Sequence, residues 1–272
     1  MRYLARRADG SPLLGDDDGF VPLAAAYPAA SSVRDVLPAA PGGLTDPDEA
    51  SAGRVARDSL TLGPALADPG KLFGIGLNYA DHAADLSETT PDEPASFFKP
   101  GTAATGPGGP IRLPPTDVSD QVTVEAELAV VIGRTCRNVS VEEADDVIAG
   151  YLPVIDVTAE DILQRNPRFL TRAKSFDTFL VIGPHVAVPG PGRDLADVEV
   201  RTVVDGEVAA RNVVGNMHFS PRALVAFHSE VMTLEPGDVI STGTPGAVPV
   251  DPGDHVRAEV DGIGCVAADV VR

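Results

Sequence analysis

The sequence predicts a mixed α/β, β-rich domain with few short helices. Three observations carry this expectation. The 272 residues include 25 Pro and 27 Gly. Proline is disfavoured inside helices and central strands, so the chain has many turns and favours strands over long helices. The stretch TVEAELAVVIG, residues 123–133, is the strongest strand pattern in the chain. Asp205-Gly206 and Asp261-Gly262 each sit between strand-like runs, the local signature of a hairpin. Hydrophobic content of 43% supports a real core, and with no Trp and 5% aromatics that core is mostly aliphatic.

The length suits one main domain with a smaller appendage. Residues 1–68, rich in Ala, Asp, Pro and Gly, read as a small N-terminal subdomain, and 69–272 as the main domain. In the first part MRYLARR and GFVPLAAAY read as strands. SSVRDVLPAA and DPDEASAGRVARDSL read as short helices. TLGPALADPGK is a linker of turn residues. KLFGIGLNY is a strand ending in a turn, and NYADHAADLSE a short polar helix or lid. SFFKP and GPIRLPP are extended pieces broken by proline. SVEEADDVIAGYL reads as a helix, with Ser140 as N-cap and Glu143 three residues later. PVIDV is a strand, AEDILQR one or two helical turns, and FDTFLVIGPHVAV strand again. VEVRTVVDGEVAARNVV is a hairpin, SPRALVAFHSEVMTL an amphipathic helix, and GDVISTGTP with HVRAEVDGIGCVAADVV a strand-rich end.

The formal net charge of −19 repels phosphate backbones and anionic bilayers, so neither nucleic acid nor membrane is an expected partner. The two cysteines, Cys136 and Cys265, make no disulfide framework and no CxxC site. No apolar h-region follows the basic N-terminus, and no run approaches a membrane span. A soluble cytoplasmic protein is the expectation.

Glu125 and Glu127 lie one residue apart in VEAELAVVIG, so they share one face of the strand. Two like charges on a buried face repel and are costly to desolvate. Asp156 lies on the apolar stretch VIDV. A divalent cation would offset the repulsion of all three acids, and oxygen-only ligands favour Mg²⁺, Mn²⁺ or Ca²⁺. On spacing alone, an edge strand with both glutamates facing water is the simpler reading.

An ordered set of motifs changes that balance: GIGLNYADHAAD, SFFKPGTAATGPGGPIRLP, VEAELAVVIGR, EEADDVIAGY, DVTAED, AKSFDTF followed by IGP, and LEPGDVISTGTPGAV. Over about 200 residues, from Lys71 to the end, the chain resembles the fumarylacetoacetate hydrolase family. The resemblance implies a fold of rolled and stacked β-sheets in a catalytic domain over 69–272, usually a homodimer. It implies a Mg²⁺ or Mn²⁺ site formed by Glu125, Glu127 and Asp156. It implies that His82 and Asp85, in the place of a His-x-x-Glu pair on a lid helix, orient or deprotonate water. It assigns Lys174 to substrate oxygens beside the metal, Thr244 with the Gly243 amide to a substrate carboxylate, and Lys99 to a cationic substrate contact.

The residues alone offer plainer readings. His82 fits an exposed surface helix, Lys174 a solvated strand end or a salt bridge to Asp177, and Gly243-Thr244 an ordinary turn. The chain also departs from the common family pattern. Asp85 is one methylene shorter than the usual Glu, Ile155 replaces an Asn, Glu160 stands in an Arg slot, and Leu163 in a Gln slot with Gln164 following. These departures bear on substrate and reaction, whereas the metal triad is intact.

The expected function is a divalent-metal-dependent hydrolase that cleaves a C–C bond in an acylpyruvate or related 1,3-diketo acid. The alternative on the same enolate chemistry is a lyase: a 2-oxo-acid decarboxylase, a hydratase or an enol–keto isomerase. From a different class, a non-catalytic relative would bind metal and a small anionic oxo acid.

Overall fold

A computed structural model describes residues 1–50, 52–79, 91–190 and 192–272. The strongest sequence signal becomes the centre of the architecture. The strand Val122–Ile132 is buried at all 11 positions and pairs antiparallel with Ile148–Ala159, buried at all 12. On its other side it pairs with Val239–Ser241. It is therefore a central strand, and the edge-strand reading of Glu125 and Glu127 is corrected.

These strands lie inside a twelve-stranded sheet. Its main path runs Gly19–Pro22, Pro12–Asp16, Arg2–Arg6, His185–Val188, Ile148–Ala159, Val122–Ile132, Val239–Ser241, Leu72–Gly76 and Ala95–Lys99. A five-stranded sheet orders Glu207–Val213, Glu199–Val204, His255–Val260, Gly264–Val271 and Ile111–Arg112. The β-rich class and the scarcity of helices are as the sequence predicts. The first three strands extend the large sheet, through pairing of Arg2–Arg6 with His185–Val188.

Strand alternation sorts the two central strands into two faces. Val122, Val124, Ala126, Leu128 and Val130 share one hydrophobic cluster with Val200, Val256, Ala258 and Val266 of the five-stranded sheet. On the opposite face Ala129, Val131, Leu152 and Val154 pack with Leu4, Leu14, Val21 and Leu37 of the N-terminal segment. Burying each such Val or Leu contributes roughly 1.5–3 kcal/mol relative to leaving it in water. Further along this second face the residues turn polar: Thr123, Glu125 and Glu127 on one strand, Asp156 and Thr158 on the other. One face thus holds an apolar core at one end and the acids at the other. Among the described residues, nine of the twelve largest fully buried side chains are Leu or Ile, as the composition implies.

Both hairpins form. Asp205 and Gly206 take φ of 51° and 88°, the left-handed pair that matches strand twist. The second turn is one residue longer than its Asp-Gly signal, because Val260 pairs with Gly264 across Asp261-Gly262-Ile263. The helix Pro221–Val231 forms, its N-cap Ser220 accepting from the Ala223 amide at 3.2 Å.

Three helix expectations are corrected. SVEEADDVIAGYL keeps its capping box, Ser140 N–H to Glu143 at 2.9 Å and Glu143 N–H to Ser140 Oγ at 3.3 Å. Yet only a short 3-10 turn, Ala144–Asp146, follows, because Ile148 onward belongs to the central strand. Long-range pairing of β-branched residues outweighs a local cap worth about 1 kcal/mol. In SSVRDVLPAA and DPDEASAGRVARDSL the structure has 3-10 turns, Leu37–Gly42, Pro47–Glu49 and Arg57–Ser59, where Pro38, Pro41 and Pro47 interrupt α-helical bonding. Among the described residues no helix is long and apolar enough to cross a membrane.

Candidate metal centre and active site

The antiparallel register sets Glu125 directly opposite Asp156, with Glu127 two residues along the same face. Each of the three offers a carboxylate oxygen, and these oxygens lie within 4.8 Å of one another. All three are buried, Glu127 and Asp156 at 2% and 1% exposure.

Two buried lysines reach them. Lys174, at the end of the short helix Leu170–Lys174, places Nζ 2.5 Å from Glu125 Oε2 and 3.1 Å from Asp156 Oδ2. Its ammonium also lies 5.1 Å from the centre of the Phe97 ring. Lys99, ending the strand Ala95–Lys99, ion-pairs with Asp156 Oδ1 and donates to the carbonyls of Val157, Lys174 and Phe179 at 3.1, 2.7 and 2.7 Å. Lys174 is therefore neither a solvated lysine nor a partner of Asp177. Lys99 spends its ammonium on backbone carbonyls and Asp156, which makes it a buried tie beneath the acids.

Glu127 has its own cradle. Its Oε2 accepts from Ser241 Oγ at 2.5 Å and from the Gly243 amide at 2.8 Å. The Gly243 amide is thus directed to a protein carboxylate. Thr244 is buried, and its hydroxyl exchanges hydrogen bonds with the backbone of Gly246 at 3.1 and 3.2 Å. Gly243 has φ of +102°, and a Cβ there would lie 2.8 Å from Asn78 Cβ, so conformation and space both demand glycine.

Burial, then the charges of Asp156 and Glu125, push the Glu127 carboxyl up to about 8, against the Ser241 hydrogen bond. Burial pulls Lys99 down to about 8, opposed by Asp156. Burial also acts to lower Lys174, but the combined pull of Asp156 and Glu125 prevails and holds it above the ordinary lysine range.

The donor set fits a hard divalent cation. It is all oxygen, it is buried, and its carboxylates outnumber the lysines facing them. Asp156 Oδ1 makes no hydrogen bond of good geometry although it touches Lys99, so it retains acceptor capacity. Such a set suits Mg²⁺, Mn²⁺ or Ca²⁺ over zinc or copper.

The structure brings together Glu125, Glu127, Asp156, Lys174, Lys99 and Gly243. His82 and Asp85 lie outside the described residues. Ile155 faces the apolar core, on the opposite face from Asp156. Leu163 packs against that same core. Glu160 and Gln164 meet each other at 3.2 Å on the helix Glu160–Arg165.

Two residues escaped sequence reasoning. Ser241 sits in the quoted ISTGTP stretch, where a hydroxyl next to a strand end carries no special signal. Asn78 is buried and donates to the Thr242 and Phe219 carbonyls at 2.7 and 3.0 Å, while its Oδ1 accepts from the Phe219 amide at 2.8 Å. It ties the loop that cradles Glu127 to the loop entering the helix Pro221–Val231.

The chain is similar to several known proteins. The family model described as fumarylacetoacetate (FAA) hydrolase C-terminal matches residues 71–271. A 4-hydroxyphenylacetate degradation bifunctional isomerase/decarboxylase of Salmonella dublin is 40% identical over 76% of this chain, which spans 48% of that protein. The 5-carboxymethyl-2-hydroxymuconate delta-isomerase of Mycobacterium smegmatis superposes with a TM-score of 0.79 at 34% identity, over 100% of this chain and 99% of that one. The maleylpyruvate hydrolase of Sphingobium sp. SYK-6, solved with manganese(II) and pyruvate, gives a TM-score of 0.79 at 29% identity over the same shares.

Proposed function

The chain belongs to the fumarylacetoacetate hydrolase family, and from that premise we propose that it is a divalent-metal-dependent enzyme working through the enolate of a 2-oxo acid. The first reading is hydrolysis of a C–C bond in an acylpyruvate or related 1,3-diketo acid. The observation that carries it is the buried carboxylate triad with Lys174 between two of its members.

Glu125, Glu127 and Asp156 would hold Mg²⁺ or Mn²⁺, which supplies Lewis acidity toward the 2-oxo-carboxylate oxygens. The Lys174 ammonium, charged across the physiological range, stabilises negative charge as it develops on the departing enolate oxygen. His82 and Asp85, which lie outside the described residues, are assigned to the proton of the attacking water through their place in the NYADHAAD motif. Ser241, Gly243 and Asn78 keep Glu127 in place. Thr244 is assigned to the substrate carboxylate through the resemblance of its STGTPGAV loop to the family.

A second reading keeps the enolate and dispenses with the attacking water: an enol–keto isomerase or 2-oxo-acid decarboxylase. It is favoured by the relatives whose names carry isomerase and decarboxylase, which exceed the named hydrolase in identity. Product analysis decides. With an acylpyruvate, a carboxylic acid plus pyruvate marks hydrolysis. With oxaloacetate, bicarbonate plus pyruvate marks decarboxylation, and enol-band decay without carbon loss marks isomerisation. Loss of turnover in His82→Ala supports the dyad. No turnover of any of these with Mg²⁺ or Mn²⁺ rejects the enzyme and leaves a binding protein. A homodimer is expected as well, to be checked by sedimentation velocity.

A further inference from the structure

The polar face of the two central strands has a direction. Its deep end abuts the apolar cluster of Ala129, Val131, Leu152 and Val154. Outward from there come Glu127, then Glu125 opposite Asp156, then Thr123 opposite Thr158. The ladder takes one further step, the Glu160 amide donating to the Gln121 carbonyl at 2.8 Å. The acids, Thr123 and Thr158 are all buried, Glu160 is half-buried and Gln121 is exposed. The face therefore opens toward solvent at the Glu160 end.

Glu160 belongs to this face by its side chain as well as its register. Its Oε2 lies 3.4 Å from Thr123 Oγ1, which shares the strand face of Glu125. The carboxylate thus stands beside Thr123, which is itself one two-residue step, roughly 7 Å, along the strand from Glu125. Its other partner is the Gln164 amide at 3.2 Å. It forms no ion pair among the described residues, and Arg165, one helical turn on, pairs with Asp161 at 2.6 Å instead. A negative charge held by a hydroxyl and an amide keeps its field, and the flanking low-dielectric wall strengthens it.

We propose that Glu160 is a specificity-determining residue, which selects a 2-oxo-acid substrate whose distal end is uncharged or cationic and disfavours one carrying a second carboxylate. This rests on the metal–oxo-acid reading above. On this reading a 2-oxo acid bound at the triad extends its carbon chain outward along the polar face, toward Thr123, Thr158 and Glu160. A distal carboxylate then meets a like charge, whereas an alkyl or ammonium end does not.

The test is calorimetric binding to the full-length, Mg²⁺-loaded protein, using 2-oxohexanoate and 2-oxoadipate, probes of equal chain length with a neutral and an anionic end. The wild type is expected to bind the neutral probe about tenfold more tightly. Glu160→Gln, which keeps the size of the side chain and one of its two acceptor oxygens, is expected to bring the ratio near one, and Glu160→Lys to reverse it. An identical ratio in the wild type and both variants overturns the role of Glu160 and leaves the metal–oxo-acid reading standing. Binding of neither probe by the wild type overturns that reading, and the specificity role with it.

Discussion

Glu125 and Asp156 stand directly opposite one another on the two buried central strands, with Lys174 Nζ 2.5 Å from the first and 3.1 Å from the second. Antiparallel register alone produces this. Opposed residues share a face with their Cβ atoms roughly 5 Å apart, so two carboxylates meet wherever the ladder aligns them. Such a pair is costly without a cation, and the fold supplies Lys174 and Lys99 from separate segments. The same feature that costs stability makes the site receptive to a second, divalent charge.

Metal binding is expected to be proton-linked. The Glu127 carboxyl is raised to about 8 in the folded protein without metal, against an ordinary 4.5. It therefore contributes stability that is complete below its unfolded value and lost as pH rises through about 8. A cation needs the carboxylate form, so apparent Mg²⁺ or Mn²⁺ affinity should rise with pH up to about 8, with close to one proton released per ion at pH 7. Calorimetry in two buffers of different ionisation enthalpy measures this release. At a hundredfold excess over Kd the ion should add about 2.7 kcal/mol of apparent stability, a gain absent in Glu127→Gln. An unchanged metal response in that variant would rule the triad out.

The triad was legible in the sequence as residue types at fixed spacing, since Glu125 and Glu127 share a face in any strand. Whether that face met water or protein was not. The decision rests on Val239–Ser241, more than a hundred residues downstream, which pairs with the free side of the strand. The same long-range pairing turned the segment after Ser140 from helix to strand although its capping box formed. Asn78 carries no local signal in its motif, because its side-chain partners lie 141 and 164 residues away. Local chemistry reads well from sequence; whatever a distant segment completes does not.

Lys174→Met should separate the charge role of the lysine from its volume. Removing one member of a buried ion pair leaves the other uncompensated and costs roughly 3–5 kcal/mol. In metal-free protein the denaturation midpoint is expected to fall accordingly, and saturating Mg²⁺ to recover part of the loss. Turnover should drop by about two orders of magnitude or more, as for loss of a donor to a developing oxyanion. Wild-type stability in the metal-free variant would mean that Lys174 is not a true partner of Glu125 and Asp156.

Acid should weaken the fold through His185. This residue is fully buried, with Nδ1 3.0 Å from the Arg57 guanidinium and Nε2 2.8 Å from the Ile263 carbonyl. Arg57 can only donate, so the ring is neutral, with its proton on Nε2. Burial first, and then Arg57, pull it down to about 4. The unfolded chain takes up the proton near 6.5 and the folded chain does not. Stability is therefore complete above pH 6.5 and lost as pH falls toward 4, by roughly 3 kcal/mol in all. Urea denaturation at pH 7 and pH 4.5 should show a smaller difference for His185→Gln than for wild type, and equal differences would refute the linkage.

Asn78→Ala should be among the most damaging substitutions outside the charged residues. It strands the Thr242 and Phe219 carbonyls and the Phe219 amide, all partnered by one buried side chain. Each buried polar group left unpaired costs about 1–3 kcal/mol, and solvent entering the gap recovers part, so a net loss of roughly 3 kcal/mol is expected. Asn78→Asp is the sharper comparison. It keeps the volume and the acceptor to Phe219 N–H but replaces two donated hydrogen bonds with a carboxylate facing two carbonyls, within reach of the Glu127 cradle. Both variants should loosen the loop that aims the Gly243 amide at Glu127. Mn²⁺ affinity, measured at a temperature where each variant is fully folded, should therefore fall along with stability. A stability loss with unchanged Mn²⁺ affinity would confine Asn78 to packing and detach it from the metal centre.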